Sequence, residues 1–351
     1  MKKLNYAEYI WLDGASPTQE LRSKTRMLYH KEGRPLDSFP EWSFDGSSTW
    51  QALGRSSDCL LKPAFFTKDP TREGENYIVL CEVLNADSTS HPTNRRADLR
   101  RMMEQTAGQD PYIGFEQEYT FFTGELESEK WPMGWPKGGY PSPQGPFYCG
   151  IGAGRVYGRH IVEEHSKACE AAGLNIYGVN AEVMPSQWEF QIGYRGEDEP
   201  SDPLTMSDHL WVARYLLHRI AEKYGVSVSF SNKPVRGDWN GAGMHTNFST
   251  KSTRDKARGL DAINEAIKNL GAHHLEHIKN YGEGLEDRLT GLHETCHISE
   301  FKSGVSNRGA SIRIPVATHQ QGHGYLEDRR PGANADPYVV SSQLLEAICL
   351  G

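Results

Sequence analysis

Apolar and polar positions alternate differently in the two parts of the chain. Tyr9-Ile10-Trp11-Leu12, Leu60 to Phe66 and Tyr77 to Leu84 are short strand-like runs set apart by Gly, Pro, Asp and Ser, and they predict a small sheet domain. Beyond residue 92 the apolar spacing becomes helical. Thr93 is placed to cap a helix through Thr106 that ends before Gly108, so His91-Pro92 marks the expected boundary between domains 1–92 and 93–351.

The larger part mixes strands with amphipathic helices. Ile161, Val162, His165, Ala168, Cys169 and Ala172 predict one helix over Arg155 to Ala172, before Gly173. Similar spacing predicts others over Ser207 to Tyr224, Leu260 to Ile278 and Ser341 to Cys349. Trp131 to Gly154 is too rich in Gly, Pro and aromatics for regular structure, and a loop of that length is suspected of function.

At 351 residues two domains are expected. Only 37% of residues are hydrophobic, and Lys and Arg (38) fall short of Asp and Glu (46), for a net charge of −8. That balance argues against holding nucleic acid or anionic membrane by bulk electrostatics and favours small-molecule chemistry. Six cysteines, never in a CxxC spacing, read as reduced buried thiols. Glu8 and Asp13 interrupt any apolar signal stretch after Met1-Lys2-Lys3, so a cytoplasmic protein is expected.

Acidic residues in strand-like contexts carry the chemistry. In Phe115-Glu116-Gln117-Glu118-Tyr119, period two puts Glu116 and Glu118 on one face. A divalent cation between them would offset their repulsion, while a solvated strand face is the plain alternative for an isolated Glu-x-Glu. Glu182 and Glu189 sit in two strand segments broken at Pro185-Ser186, from which they can converge. After the glycine-rich Asn240-Gly241-Ala242-Gly243, one face carries His245, Asn247 and Ser249. Arg308, Arg313 and Arg329 supply planar cations for phosphate or carboxylate, or for structural ion pairs with the glutamates. Acids with a histidine for hard cations, plus arginines for oxyanions, suggest metal-nucleotide phosphoryl transfer.

The strings Phe44-Asp45-Gly46-Ser47-Ser48-Thr49, Phe115-Glu116-Gln117-Glu118-Tyr119, Asn180-Ala181-Glu182-Val183-Met184-Pro185, Trp188-Glu189-Phe190, Asn240-Gly241-Ala242-Gly243-Met244-His245 and Glu327-Asp328-Arg329-Arg330-Pro331 closely resemble glutamine synthetase of the shorter type II form. The resemblance runs from about Tyr9 to Pro337. It implies an α+β fold: an N-terminal β-grasp domain and a C-terminal antiparallel half-barrel backed by helices. It also implies a homo-oligomer, usually a decamer of two pentameric rings, with active sites between subunits.

By matching positions, Glu116, His245 and Glu327 would hold the metal near the ATP phosphates, and Glu118, Glu182 and Glu189 the metal near glutamate. The ions would be Mg2+ or Mn2+, roughly two or three per site. Arg308, Arg313 and Arg329 would neutralise the phosphoryl group and the glutamate carboxylate, and Asn240, Gly241 and Arg288 would hold the amino acid. Asn247, Ser249, Tyr325 and Tyr112, which replaces a frequent Trp, belong to the nucleotide side, as do Glu116 and Glu189. Asp45, with Ser48, Tyr148 and Glu294, would bind ammonium, and Glu294 would lie on a closing flap.

His293-Glu294-Thr295-Cys296-His297 also matches the HExxH zinc-protease signature, but its surroundings are a poor helix. The pair His273 and His277 reads as a solvated helical face. A ligase for another amine and a non-catalytic relative remain as rivals; the first should lack Asp45 and Glu294, and the second should lose metal ligands or arginines.

Overall fold

The computed structural model describes residues 3–124 and 131–351. Its first five strands, β1 (Leu4–Leu12), β2 (Leu21–Tyr29), β3 (Trp42–Asp45), β4 (Asp58–Lys68) and β5 (Tyr77–Leu84), form a sheet in the order β2-β1-β5-β4-β3. The β1–β5 pair is parallel and the others antiparallel. Alternation gives each central strand two buried faces. Tyr9, Trp11, Val79 and Cys81 pack with Phe39, Phe44 and Leu61 in a core of their own, whereas Ile10, Leu12, Ile78 and Leu80 join the main core. This is why Tyr77 to Leu84 is an unbroken apolar run apart from Glu82.

The pattern overlooked β2 and β3. In β2, Arg22, Lys24 and Arg26 alternate along a half-exposed edge strand, and such charges are what edges tolerate.

Residues 85–94 lead into α1 (Arg95–Thr106), followed by β6 (Tyr112–Thr123), β7 (Trp131–Pro132), α2 (Arg159–Ala171), β8 (Ile176–Ala181), β9 (Gln187–Ile192) and α3 (Pro203–Lys223). Then come β10 (Val226–Ser229), β11 (Met244–Ser249), α4 (Gly259–Ala272), α5 (His274–Asn280), α6 (Leu285–Arg288), β12 (Ser303–Val305), β13 (Ile312–Ile314), α7 (Val316–Gln321), β14 (Leu326–Asp328) and α8 (Pro337–Leu345).

Helix ends differ from expectation where a better cap is available. Asn94, not Thr93, caps α1 by accepting from the Ala97 N–H, because Thr93 Oγ1 is engaged with His91 and Gln51. Asp202 caps α3, which starts at Pro203, four residues before the expected Ser207, and Asp336 caps α8, which starts at Pro337, four before the expected Ser341. The helix expected over Leu260 to Ile278 breaks at His273.

The second sheet is a half-barrel in the order β12-β13-β14-β11-β6-β9-β8, with β10 and β7 paired to the far end of β6. All pairs are antiparallel except β12–β13. Helix α3, mostly buried, packs against β5, β6 and β9 and so joins the two sheets. Its Arg214 donates to Gln117 Oε1 from Nε (2.8 Å) and to the Ala333 and Ala335 carbonyls (3.0 Å each), pinning the back of β6 to the chain after β14. Burial lowers that guanidinium to a pKa of about 9. No helix among the described residues is long and apolar enough to cross a membrane.

Arg96 of α1 pairs with Glu82 of β5 and Asp208 of α3, each at 2.8 Å, with little solvent access to any of the three. Removing Arg96 would leave buried Asp208 with the Tyr338 hydroxyl (2.7 Å) as its remaining side-chain partner, while Glu82 would keep Arg100 at 3.2 Å. Arg96→Met is therefore expected to destabilise the protein by about 3–5 kcal/mol, read from the midpoint and slope of denaturant unfolding; a loss below about 1 kcal/mol, the worth of an exposed pair, would contradict that reading.

Candidate active site

Register brings the acids together. Directly opposed residues of an antiparallel pair share a face, and Glu116 opposes His245 on β11 and Gln191 on β9, while Glu118 opposes Glu189. Asn247 and Arg313 both oppose Glu327 of β14. The other faces of β6 and β9 send Phe115, Tyr119, Trp188 and Phe190 into the core. Glu182 follows β8 at the reversal through Pro185-Ser186, where its N–H donates to the Gln187 carbonyl (2.9 Å).

Two groups of ligand atoms result, each lying within 4.8 Å: Glu116, Glu189 and His245, and Glu118, Glu182 and Glu189. Glu189 belongs to both. Burial raises Glu118 to a pKa of about 7 and, with the Glu118 charge, Glu182 to about 8. Burial and then Glu116, Glu118 and Glu182 push Glu189 upward, and burial followed by Arg329 pushes His245 downward. Carboxylates held this close with one unprotonated imidazole are the donor set that hard divalent cations such as Mg2+ or Mn2+ take. The buried Asn247 Oδ1, which has no hydrogen-bond partner among the described residues, belongs to the same face; its Nδ2 donates to Glu116 at 2.9 Å.

Glu327 is placed differently from the other expected ligands. Fully buried, it accepts from Arg313 Nε and from Arg329 Nη1 (2.7 Å), with His245 Nδ1 at 3.7 Å. Arg288 is also buried: it donates to the Arg329 and Arg330 carbonyls and lies 3.1 Å from His245 Nε2, so it braces the histidine from behind. Gly243 is glycine for a steric reason, since a β-carbon there would run into the Arg288 guanidinium. The Gly243 N–H donates to Glu118.

Asn240 donates from its backbone to Gln144 (2.9 Å), and the Gly241 carbonyl accepts from Gln187 (2.8 Å). Exposed Glu294 and half-exposed Tyr148 lie within electrostatic reach of Glu182, and Arg308 within reach of Tyr148. Tyr325 reaches Glu116 and Arg313, while the Tyr112 ring meets Tyr194 (5.5 Å) and lies under the Arg254 guanidinium (3.9 Å), which also donates to Ser249 Oγ. Asp45 stands apart on the small sheet. Its carboxylate accepts from Ser47 and Ser48, and among the described residues no hydrogen bond or ion pair joins it or Ser48 to the half-barrel face.

Tyr177 escaped the sequence reading although it neighbours Glu116, Glu189 and Asn247. A register shift between Ile176 and Gly178 breaks the alternation that would have placed it.

Among the described residues, neither histidine motif joins a group of ligand atoms like those around Glu189. His293 and Glu294 have φ of 49° and 59°, so no helix presents the HExxH residues; His293 bonds Asp238 and His297 bonds Ser299. His277 is buried rather than solvated, and it packs with His274 around Arg330, which pairs with Asp328.

A buried acid whose folded pKa is raised binds a proton that the unfolded chain releases, so stability is present below the ordinary value of 4.5 and is lost as pH rises through Glu118 and Glu182 at about 7 and 8. The thermal midpoint of chelated protein should fall between about pH 5 and 8.5. Saturating Mg2+ or Mn2+ should remove most of that fall, and a midpoint indifferent to metal over the range would refute the assigned cation site.

A family model described as the glutamine synthetase β-grasp domain matches residues 3–86, and one described as the glutamine synthetase catalytic domain matches residues 93–276. A glutamine synthetase of Streptomyces viridochromogenes is 55% identical over 347 residues, covering 98% of this chain and 96% of that one. Those of Emericella nidulans and Agaricus bisporus are each 52% identical, over 98% of this chain and 92% and 93% of theirs. The chain therefore belongs to the glutamine synthetase family.

Proposed function

We propose that this chain joins ammonia to the γ-carboxylate of glutamate at the expense of ATP, through γ-glutamyl phosphate. The observation that carries the proposal is the pair of ligand groups sharing Glu189, flanked by Arg313 and Arg329 beside Glu327 and His245. Glu116, Glu189 and His245, with Glu327 beside them, would hold one ion, and Glu118, Glu182 and Glu189 another. Bound there, Mg2+ or Mn2+ would neutralise phosphate oxygens and orient the phosphoryl group.

The chain's own groups do the rest. Asn240, Gly241 and Arg288 hold the amino acid. Arg313 and Arg329, already aimed at the face by Glu327, neutralise charge on the transferring phosphoryl group; Arg308 meets its oxygens or the glutamate carboxylate. Tyr112, Ser249, Asn247 and Tyr325 line the nucleotide side. Ammonium is no nucleophile until it loses a proton, which Asp45 accepts, assisted by Ser48, Tyr148 and Glu294. Glu294 also covers the acyl phosphate against water.

The separation of Asp45 from its own half-barrel supports a ring in which the small sheet of one subunit completes the site of the next, in a decamer of two pentamers. We place the division at 1–92 and 93–351, and the protein in the cytoplasm. The presence of Asp45, Glu294, every expected ligand and all three arginines disfavours both another amine ligase and a non-catalytic relative.

ADP release by purified protein with ATP, Mg2+ or Mn2+ and glutamate should rise on adding ammonium and far less on adding methylamine or larger amines. No response to ammonium would refute the proposal, whereas preference for a larger amine would favour the other ligase. Glu189→Ala should leave below about 1% of the activity with the oligomer intact by light scattering.

A further inference from the structure

Gln144 sits in the irregular segment between β7 and α2, and no role in the reaction above falls to it. Its side chain nevertheless joins two loops that have one. The amide oxygen accepts from the Asn240 backbone N–H at 2.9 Å, and the amide nitrogen lies 3.2 Å from His293 Nδ1. His293 Nε2 in turn lies 2.9 Å from an Asp238 oxygen. One arrangement of hydrogens satisfies all three contacts: Gln144 donates to an unprotonated Nδ1, and Nε2–H donates to the Asp238 carboxylate. The amide cannot turn over, because its NH2 would then face the Asn240 N–H.

The segment held this way is under strain. His293 and Glu294 are successive non-glycine residues in the left-handed region, at φ 49° and 59°, which persists only where surroundings enforce it. The Glu294 carbonyl offers one anchor, to Arg329 Nη2 at 3.5 Å. Asp238 is almost fully exposed, so its pair with His293 is weak alone. Gln144 reaches something firmer, since the Asn240–Gly241 turn is bonded to Gln187 of β9 (2.8 Å).

We infer that Gln144 and His293 are positioning residues that latch the Glu294 segment in place and tie it to the turn that receives the amino acid. One amide contacts both, so ordering of that turn by glutamate is transmitted to the segment that excludes water. This rests on the function proposed above only for its catalytic consequence.

The test uses the full-length oligomer with Gln144→Ala and, in case that variant folds poorly, the near-isosteric Gln144→Met, which keeps the side chain's length but can neither accept from Asn240 nor donate to Nδ1. Hydrogen–deuterium exchange should quicken over residues 290–298 in both variants while β6 and β11 keep their protection. In steady state, glutamine formed per ATP consumed should fall and the ammonium KM should rise roughly fivefold, the worth of one hydrogen bond, with the ATP KM unchanged. Unchanged exchange in 290–298 would overturn the latch, as would a loss of kcat with the ATP-to-glutamine ratio intact. A wild-type protein that makes no glutamine, while the exchange difference remains, would instead refute the proposed reaction and leave the latch standing.

Discussion

Four carboxylates that repel one another share one face of a sheet, and much of the large domain serves to keep Glu116, Glu118, Glu182 and Glu189 there. Buried like charges would spread apart or take up protons if their strands could move. The strands cannot move, because the opposite faces of β6 and β9 are locked into the apolar core by Phe115, Tyr119, Trp188 and Phe190. The cost of crowding the acids is thus met by hydrophobic burial behind them, and the crowded oxygens could hold a cation in front.

Buried arginines reinforce that arrangement from three directions without facing solvent. Arg214 ties the back of β6 to the chain after β14, and Arg288 braces His245. Arg330 holds β14 to α5 through Asp328 and two histidines. Each satisfies carbonyls or acids that would otherwise lie unpaired. Arg313 and Arg329 share Glu327 as a partner, and Arg329, itself buried, also donates from Nε to the Arg308 carbonyl at 3.0 Å.

Loops of different character complete the site. The Asn240–Gly243 turn approaches Arg288 so closely that only glycine fits at 243, whereas the Glu294 segment is strained and fastened by side chains.

The sequence by itself determined the strands that carry Glu116, Glu118, Glu189 and His245, because alternation along a half-buried strand is written locally. It also determined the two-part organisation and, through motif strings spread from Tyr9 to Pro337, the family. It did not reveal β2, whose charged edge pattern resembles a loop, or Tyr177, hidden by the register shift in β8. It misplaced His277, since spacing places residues on a helix face and cannot say that Arg330 fills the space beside that face. Tertiary structure alone decided that Glu189 belongs to both ligand groups, that Glu327 sits between two arginines, and that Gln144 joins loops 96 and 149 residues away. These are relations across strands and loops, set by pairing register and by the path of the chain, and local sequence carries no record of either.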